Sequence, residues 1–192
     1  MEVKEHHNEA GKSSFGMVDR NKLFDSLHLK TGMTFLDVGS GRGEYSLEAC
    51  HQVGNSGKVI ALDKWEVGVN DLIENALAQG LTNLSAFVND ASTGIPVAEG
   101  VVDTCLMSMV IHGFVRNGIF EKVIKEVSRV MKSNAQLAII EWKKIQGPPG
   151  PAIDLRLSDK DIEQLVNPMG FIKEDVVALG NFLYLVTFRR EF

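Results

Sequence analysis

Three glycines spaced one residue apart, Gly39, Gly41 and Gly43, stand directly after the apolar run Thr34-Phe35-Leu36-Asp37-Val38, with Ser40 between the first two. Glycine supplies the positive φ angles and the close backbone approach that a bulkier residue would block. Helix-compatible residues from Glu44 to Gln52 follow, so the turn presents unpaired N–H groups at a helix N-terminus, where an anionic or hydroxyl-rich group is attracted. Two acids frame the turn. Asp37 closes in from the preceding run, and Asp63 ends the next apolar run, Val59-Ile60-Ala61-Leu62, twenty residues after Gly43. An acid at that place suits a pair of ribose hydroxyls. A dinucleotide fingerprint would need Gly or Ala at position 44, where the chain has Glu44. Asp37 is also badly placed against a pyrophosphate and well placed beside a cation or an amino group. Both residues argue against a nicotinamide dinucleotide.

Leu36-Asp37-Val38-Gly39-Ser40-Gly41-Arg42-Gly43 followed by Asp63 resembles the first two motifs of class I S-adenosylmethionine-dependent methyltransferases. The resemblance extends over nearly the whole chain and is closest to small ubiquinone- and menaquinone-type C-methyltransferases and their relatives. It implies S-adenosyl-L-methionine as cofactor and, as cofactor contacts, Asp37, Gly39, Ser40, Gly41, Gly43, Asp63, Lys64, Trp65, Asn89, Asp90, Ala91 and Met107. In similar enzymes the acid matched by Asp90 accepts a hydrogen bond from the adenine amino group. Lys64 departs from the pattern, since relatives often carry an apolar contact there. Trp65 can pack on the adenine or serve as a core tryptophan at a helix start.

The elements that must position these residues follow from periodicity. Asp19 caps a short helix carrying Leu23, Phe24 and Leu27. A strand enters the glycine loop, and a helix with Tyr45, Leu47, Ala49 and Val53 leaves it. Gly54 to Gly57 turns into the second strand. A helix over about 66–79, with Val69, Leu72, Ile73, Ala76 and Leu77 on one face, ends at Gly80. Strands are expected over 84–88, 101–109 and 136–142, and a helix over 118–132 carries the strong apolar face of Phe120, Val123, Ile124, Val127, Val130 and Met131. Ser158 and Asp161 form a capping box, and 171–177 and 182–188 flank the hairpin signal Gly180-Asn181. Alternating strands and helices give a doubly wound α/β sheet with right-handed crossovers. The resemblance implies a Rossmann-like, seven-stranded, mostly parallel sheet, with one antiparallel strand from the C-terminal hairpin. One domain over 1–192 is expected, with residues 1–18 a mobile leader, and the resemblance implies that this leader can close over the site as a lid.

Composition narrows the function. With 44% hydrophobic and 23% charged residues the chain reads as an ordinary globular protein, expected to be cytoplasmic and a monomer or homodimer. No apolar run reaches the roughly 18 residues of a membrane span. A net charge of −5 without a basic stripe disfavours nucleic acid. The two cysteines, Cys50 and Cys105, and the five histidines show no metal-ligand spacing, so no metal is expected.

Methyl transfer from a sulfonium is an in-line displacement, in which alignment and exclusion of water matter most. Hydroxyl and activated carbon acceptors also need a proton removed. His112, just beyond the fourth strand, is the candidate base, against a structural or pocket-lining histidine. Glu141 and Trp142 can line the same pocket, Glu141 equally being a salt-bridging rim residue. Arg156 can hold an anionic substrate group or be a surface arginine. The enzyme expectation is methyl transfer to an unidentified small molecule, with a quinone-like or other aromatic acceptor as the candidate. Its alternative is a regulatory module that binds S-adenosylmethionine without catalysis.

Overall fold

The computed structural model describes residues 13–147 and 149–191. Seven strands form one sheet in the order β3-β2-β1-β4-β5-β7-β6. β1 (Thr34–Val38) pairs in parallel with β2 (Lys58–Asp63) on one side and β4 (Val102–Ser108) on the other. β3 (Leu84–Val88) joins β2, and β5 (Met131–Trp142) joins β4, again in parallel. β7 (Leu183–Arg190) runs antiparallel to β5, and β6 (Phe171–Ala178) antiparallel to β7. The strand order turns back between β1 and β4, which opens a crevice at their carboxyl ends.

The sheet is parallel at its centre because its strands are apolar on both faces. Phe35 of β1 packs with Val59, Leu106 and Ile140 in one core, while Leu36 and Val38 pack with Ile60, Leu62 and Cys105 in the other. Each such fully buried side chain contributes about 1.5–3 kcal/mol. Both cysteines are buried, as expected of apolar fillers. α2 (Glu44–Val53) and α5 (Phe120–Val130) cover opposite faces, and every expected apolar residue of α5 is buried.

Local signals set the ends. Asp19 accepts from the Lys22 N–H at the start of α1 (Arg20–Leu27). Ser158 and Asp161 form the capping box of α6 (Asp159–Val166). Gly80, at φ 69°, donates its N–H to Leu77 O just beyond α3 (Glu66–Ala78). Two expectations need correction, and one element is new. On α3, Ile73 and Leu77 are 38% and 72% exposed, because only Val69, Leu72 and Ala76 turn toward the sheet. β5 begins at Met131, earlier than position 136, with a register shift opposite Val102 and Thr104. A short helix, α4 (Ile111–Arg116), separates β4 from α5. Its six residues are too few to show a helical period. No helix among the described residues is long and apolar enough to cross a membrane.

Candidate functional site

The glycine loop is built into the crevice from both sides. Leu62 O accepts the N–H groups of Gly39 and Ser40 at 2.8 and 3.0 Å, tying the turn to β2. A Cβ on Gly39 would come within 2.5 Å of Val110 Cγ1, and one on Gly43 within 2.3 Å of Leu72 Cδ1, so neither position admits a side chain. Gly41, at φ 56°, faces open space. Asp63 braces the loop: Oδ2 accepts the Gly41 N–H and Oδ1 the Trp65 N–H, both at 2.8 Å. Beneath the turn, Asp37 is 1% exposed and its Oδ2 accepts the Ser46 hydroxyl at 2.6 Å. Asp37 Oδ1 and Ser40 Oγ are buried with no hydrogen-bond partner among the described residues. Burial pushes the Asp37 carboxyl up to about 7, against the Ser46 hydrogen bond and with help from Asp63 and Glu44.

A cavity opens in front of the loop. The loop, Glu44 and Tyr45 line one side of it, Ser108 and Met109 at the end of β4 another, and Ser13 and Ser14 a third. Ser14 Oγ lies 2.7 Å from Tyr45 Oη and 3.0 Å from Ser108 Oγ, and the Phe15 ring meets the Tyr45 ring edge-on at 5.1 Å. Burial lifts the Tyr45 phenol to about 12, so it stays a neutral donor. Met109 holds φ 61°, a conformation rare outside glycine, while its N–H bonds Ile140 O. Of the expected lid, Ser13 and Ser14 line the cavity, and residues 1–12 lie outside the described residues.

The other expected contacts spread along the carboxyl edge. Asn89 donates its main-chain N–H to Asp63 O, which brings the end of β3 beside the end of β2. Asp90 Oδ1 accepts from the Ser92 N–H and hydroxyl, and Oδ2 pairs with Lys64 Nζ at 3.0 Å. Ala91 is buried at 7% exposure. Trp65 is half-buried between Gly68 and Arg42, whose guanidinium carbon stands 5.3 Å from the centre of its ring system. Met107 is not brought to the cavity: it is 1% exposed in the core, whereas its successors Ser108 and Met109 line the opening.

His112 and Glu141 form a pair. Glu141 is fully buried at the end of β5, and its Oε1 accepts the His112 main-chain N–H at 3.2 Å and lies 2.7 Å from His112 Nδ1. Its Oε2 accepts the Trp142 N–H. An ionised carboxylate can only accept, so Nδ1 is the nitrogen that donates to Glu141 Oε1. Glu141 is thus neither a pocket wall nor a rim ion pair. Arg156 also departs from both expectations. At 3% exposure, it donates to the carbonyls of Lys143, Ile145, Gly147, Pro149 and Pro151 and sits over the Trp142 ring. It holds a loop rather than a substrate.

Tyr45, Ser108 and Ser14 are among the cavity residues not singled out in advance as site residues. Tyr45 opens the first turn after the glycines and Ser108 ends β4, so their positions carried a usable signal. Ser14 lies in a polar stretch with no periodicity, and only its folded contacts disclose it.

A family model described as a methyltransferase domain matches residues 29–165. The demethylmenaquinone methyltransferase of Lactobacillus johnsonii is 29% identical over 139 residues, covering 71% of this chain and 53% of that protein. The ubiquinone/menaquinone biosynthesis C-methyltransferase of Salmonella arizonae is 25% identical over 138 residues, covering 68% and 52%. The chain spans about half the length of these curated relatives. Among solved structures, a SAM-dependent methyltransferase from Aquifex aeolicus superposes with a TM-score of 0.83 at 31% identity, over 94% of both chains. An O-methyltransferase from Thermotoga maritima, 18% identical and covering 91% of this chain and 65% of that one, shares the fold with a TM-score of 0.70. The chain belongs to the S-adenosylmethionine-dependent methyltransferases.

Proposed function

We propose that the chain transfers a methyl group from S-adenosylmethionine to a small acceptor at the carboxyl edge of the sheet, with His112 removing the acceptor's proton. The residues present fit the cofactor. Asp37 Oδ1 and Ser40 Oγ are buried acceptors lacking partners among the described residues, directly under the loop, and suit amino and hydroxyl donors. Gly41 leaves open space where a side chain would intrude. Asp63 faces the same edge as the loop N–H groups and would take the ribose hydroxyls, while Asp90 would meet the base. When bound, the cofactor supplies a methyl group on a positively charged sulfur, ready for in-line displacement.

The observation that carries the proposal is the pairing of the part-buried His112 with the fully buried Glu141, just past the cavity-lining Ser108 and Met109. Glu141, a positioning residue, fixes the tautomer, and His112 Nε2 takes the proton that an acceptor hydroxyl or activated carbon loses as it is methylated. Ser13 and Ser14, which line the cavity, keep water from the reacting atoms. The names of the menaquinone and ubiquinone relatives favour a quinone-like or other aromatic acceptor. So does the net charge of −5, which offers little to a polyanion.

Incubation of the protein with methyl-labelled cofactor and fractionated metabolites, followed by mass spectrometry, tests the proposal. The expected result is label in a small aromatic or quinone-like compound. For that compound His112→Ala should lower turnover about 10²- to 10⁴-fold while S-adenosylhomocysteine affinity stays within about twofold. Tight cofactor binding with no transfer to any fraction would sink the proposal and favour the regulatory module.

A further inference from the structure

We infer that Lys64 is a built-in competitor for the carboxylate that would read the cofactor's base: its ammonium closes onto Asp90 Oδ2 across the slot the adenine would enter. The inference rests on the cofactor assignment above and concerns what sets affinity at that site. Adjacent parallel strands place the three contact points in a row. The glycine loop ends β1, Asp63 ends β2, and Asp90 follows β3, whose Val88 is in register with Asp63. A ligand anchored at the loop, with its ribose at Asp63, must place its base next to Asp90.

Asp90 is prepared for one donor only. The Ser92 N–H and hydroxyl, at 2.9 and 2.7 Å, occupy Oδ1 and fix the carboxylate's orientation, so Oδ2 is the oxygen offered to the slot. Burial works against the charged form, but the Ser92 bonds and Lys64 outweigh it, so the carboxyl lies below its usual range and remains an acceptor. The exocyclic amino group of adenine is a neutral donor of the kind Oδ2 requires. That oxygen holds Lys64 Nζ at 3.0 Å, on a side chain that is 67% exposed. An exposed ion pair of this kind is weak enough for a ligand to displace, yet its loss subtracts from the affinity the ligand gains. Lys64 is too exposed to matter for folding, so its replacement reports on the slot alone.

The test is calorimetric titration of S-adenosylhomocysteine, which lacks the sulfonium charge, into the wild type, Lys64→Met, Asp90→Asn and the double variant. Lys64→Met should bind about two- to fivefold more tightly than wild type. Replacement of Lys64 in the Asp90→Asn background should change affinity by much less. Raising the salt concentration should tighten binding to the wild type and leave Lys64→Met nearly unaffected. Weaker binding by Lys64→Met would overturn the inference, because it would make the ammonium a direct donor to the base. Equal tightening in both backgrounds would overturn it too, since the effect would not pass through Asp90. Absence of binding by the wild type would instead strike at the cofactor assignment itself.

Discussion

Burial under the glycine loop holds the Asp37 carboxyl at about 7, the loss of solvation outweighing its hydrogen bond from Ser46, with Asp63 and Glu44 adding to the rise. The folded value lies above the unfolded value of 3.8, so between these two values the folded chain keeps a proton that the unfolded chain has released. The sign follows from linkage: this group's contribution to stability is full below about pH 4 and declines as the pH rises toward about 7. An amino group beside Oδ1 favours the ionised form, so binding below neutrality expels the proton. S-adenosylhomocysteine affinity should therefore rise up to about tenfold between about pH 6 and 7.5, then level off. Asp37→Asn should bind more weakly and lose that dependence. Calorimetry in buffers of different ionisation enthalpy counts the proton, and no release at about pH 6 would refute the assignment.

At the scale of the element, the loop after β5 depends on one side chain. Arg156 spans five carbonyls along Lys143 to Pro151, and Gly150 approaches the Trp142 indole so closely that a Cβ would lie 2.6 Å from it. Lysine cannot reproduce a planar fork with five donors. Arg156→Lys should cost about 2–4 kcal/mol, lowering Tm by roughly 5–15 °C, and should expose the loop to proteolysis; an unchanged cleavage pattern would contradict the role. This element also marks where sequence reasoning stops. The glycine loop, Asp63, the Ser158 box and the hairpin were legible because each is a local pattern whose geometry its own residues dictate. Arg156 was not, since its partners are main-chain carbonyls that any sequence would supply. The Glu141–His112 pair joins residues 29 positions apart on different elements. Ile73 and Leu77 misled because a helical period tells which residues share a face, and the elements packed against the helix decide how much of that face is covered.

For the whole molecule, the family match over residues 29–165 excludes both the leader and the β6–β7 hairpin, yet these two segments meet. The Asp19 N–H bonds Leu179 O, the Lys143 N–H bonds Phe182 O, and Lys143 Nζ reaches Gly180 O. Reversal of β7 carries the hairpin turn back to the carboxyl edge, where it joins the leader to the loop after β5. Ligand binding at that edge should stabilise the fold as a unit. At a ligand concentration one hundred times Kd, S-adenosylhomocysteine should add about 2.7 kcal/mol, raising Tm by about 5–10 °C. Scanning calorimetry with increasing ligand checks this, and a Tm independent of ligand would show that the site is not coupled to global unfolding.

The hairpin turn has a consequence for biosynthesis. Translation completes the glycine loop and Asp63 long before it reaches Leu179 to Leu183, which pair with the leader and with β5. A nascent chain stalled in α6 therefore carries the glycine loop and Asp63 without the turn that bonds Asp19 and Lys143. β5 stays a sheet edge until β7 arrives. Protection of that edge and the bonding of Asp19 and Lys143 thus both await the emergence of the hairpin from the ribosome.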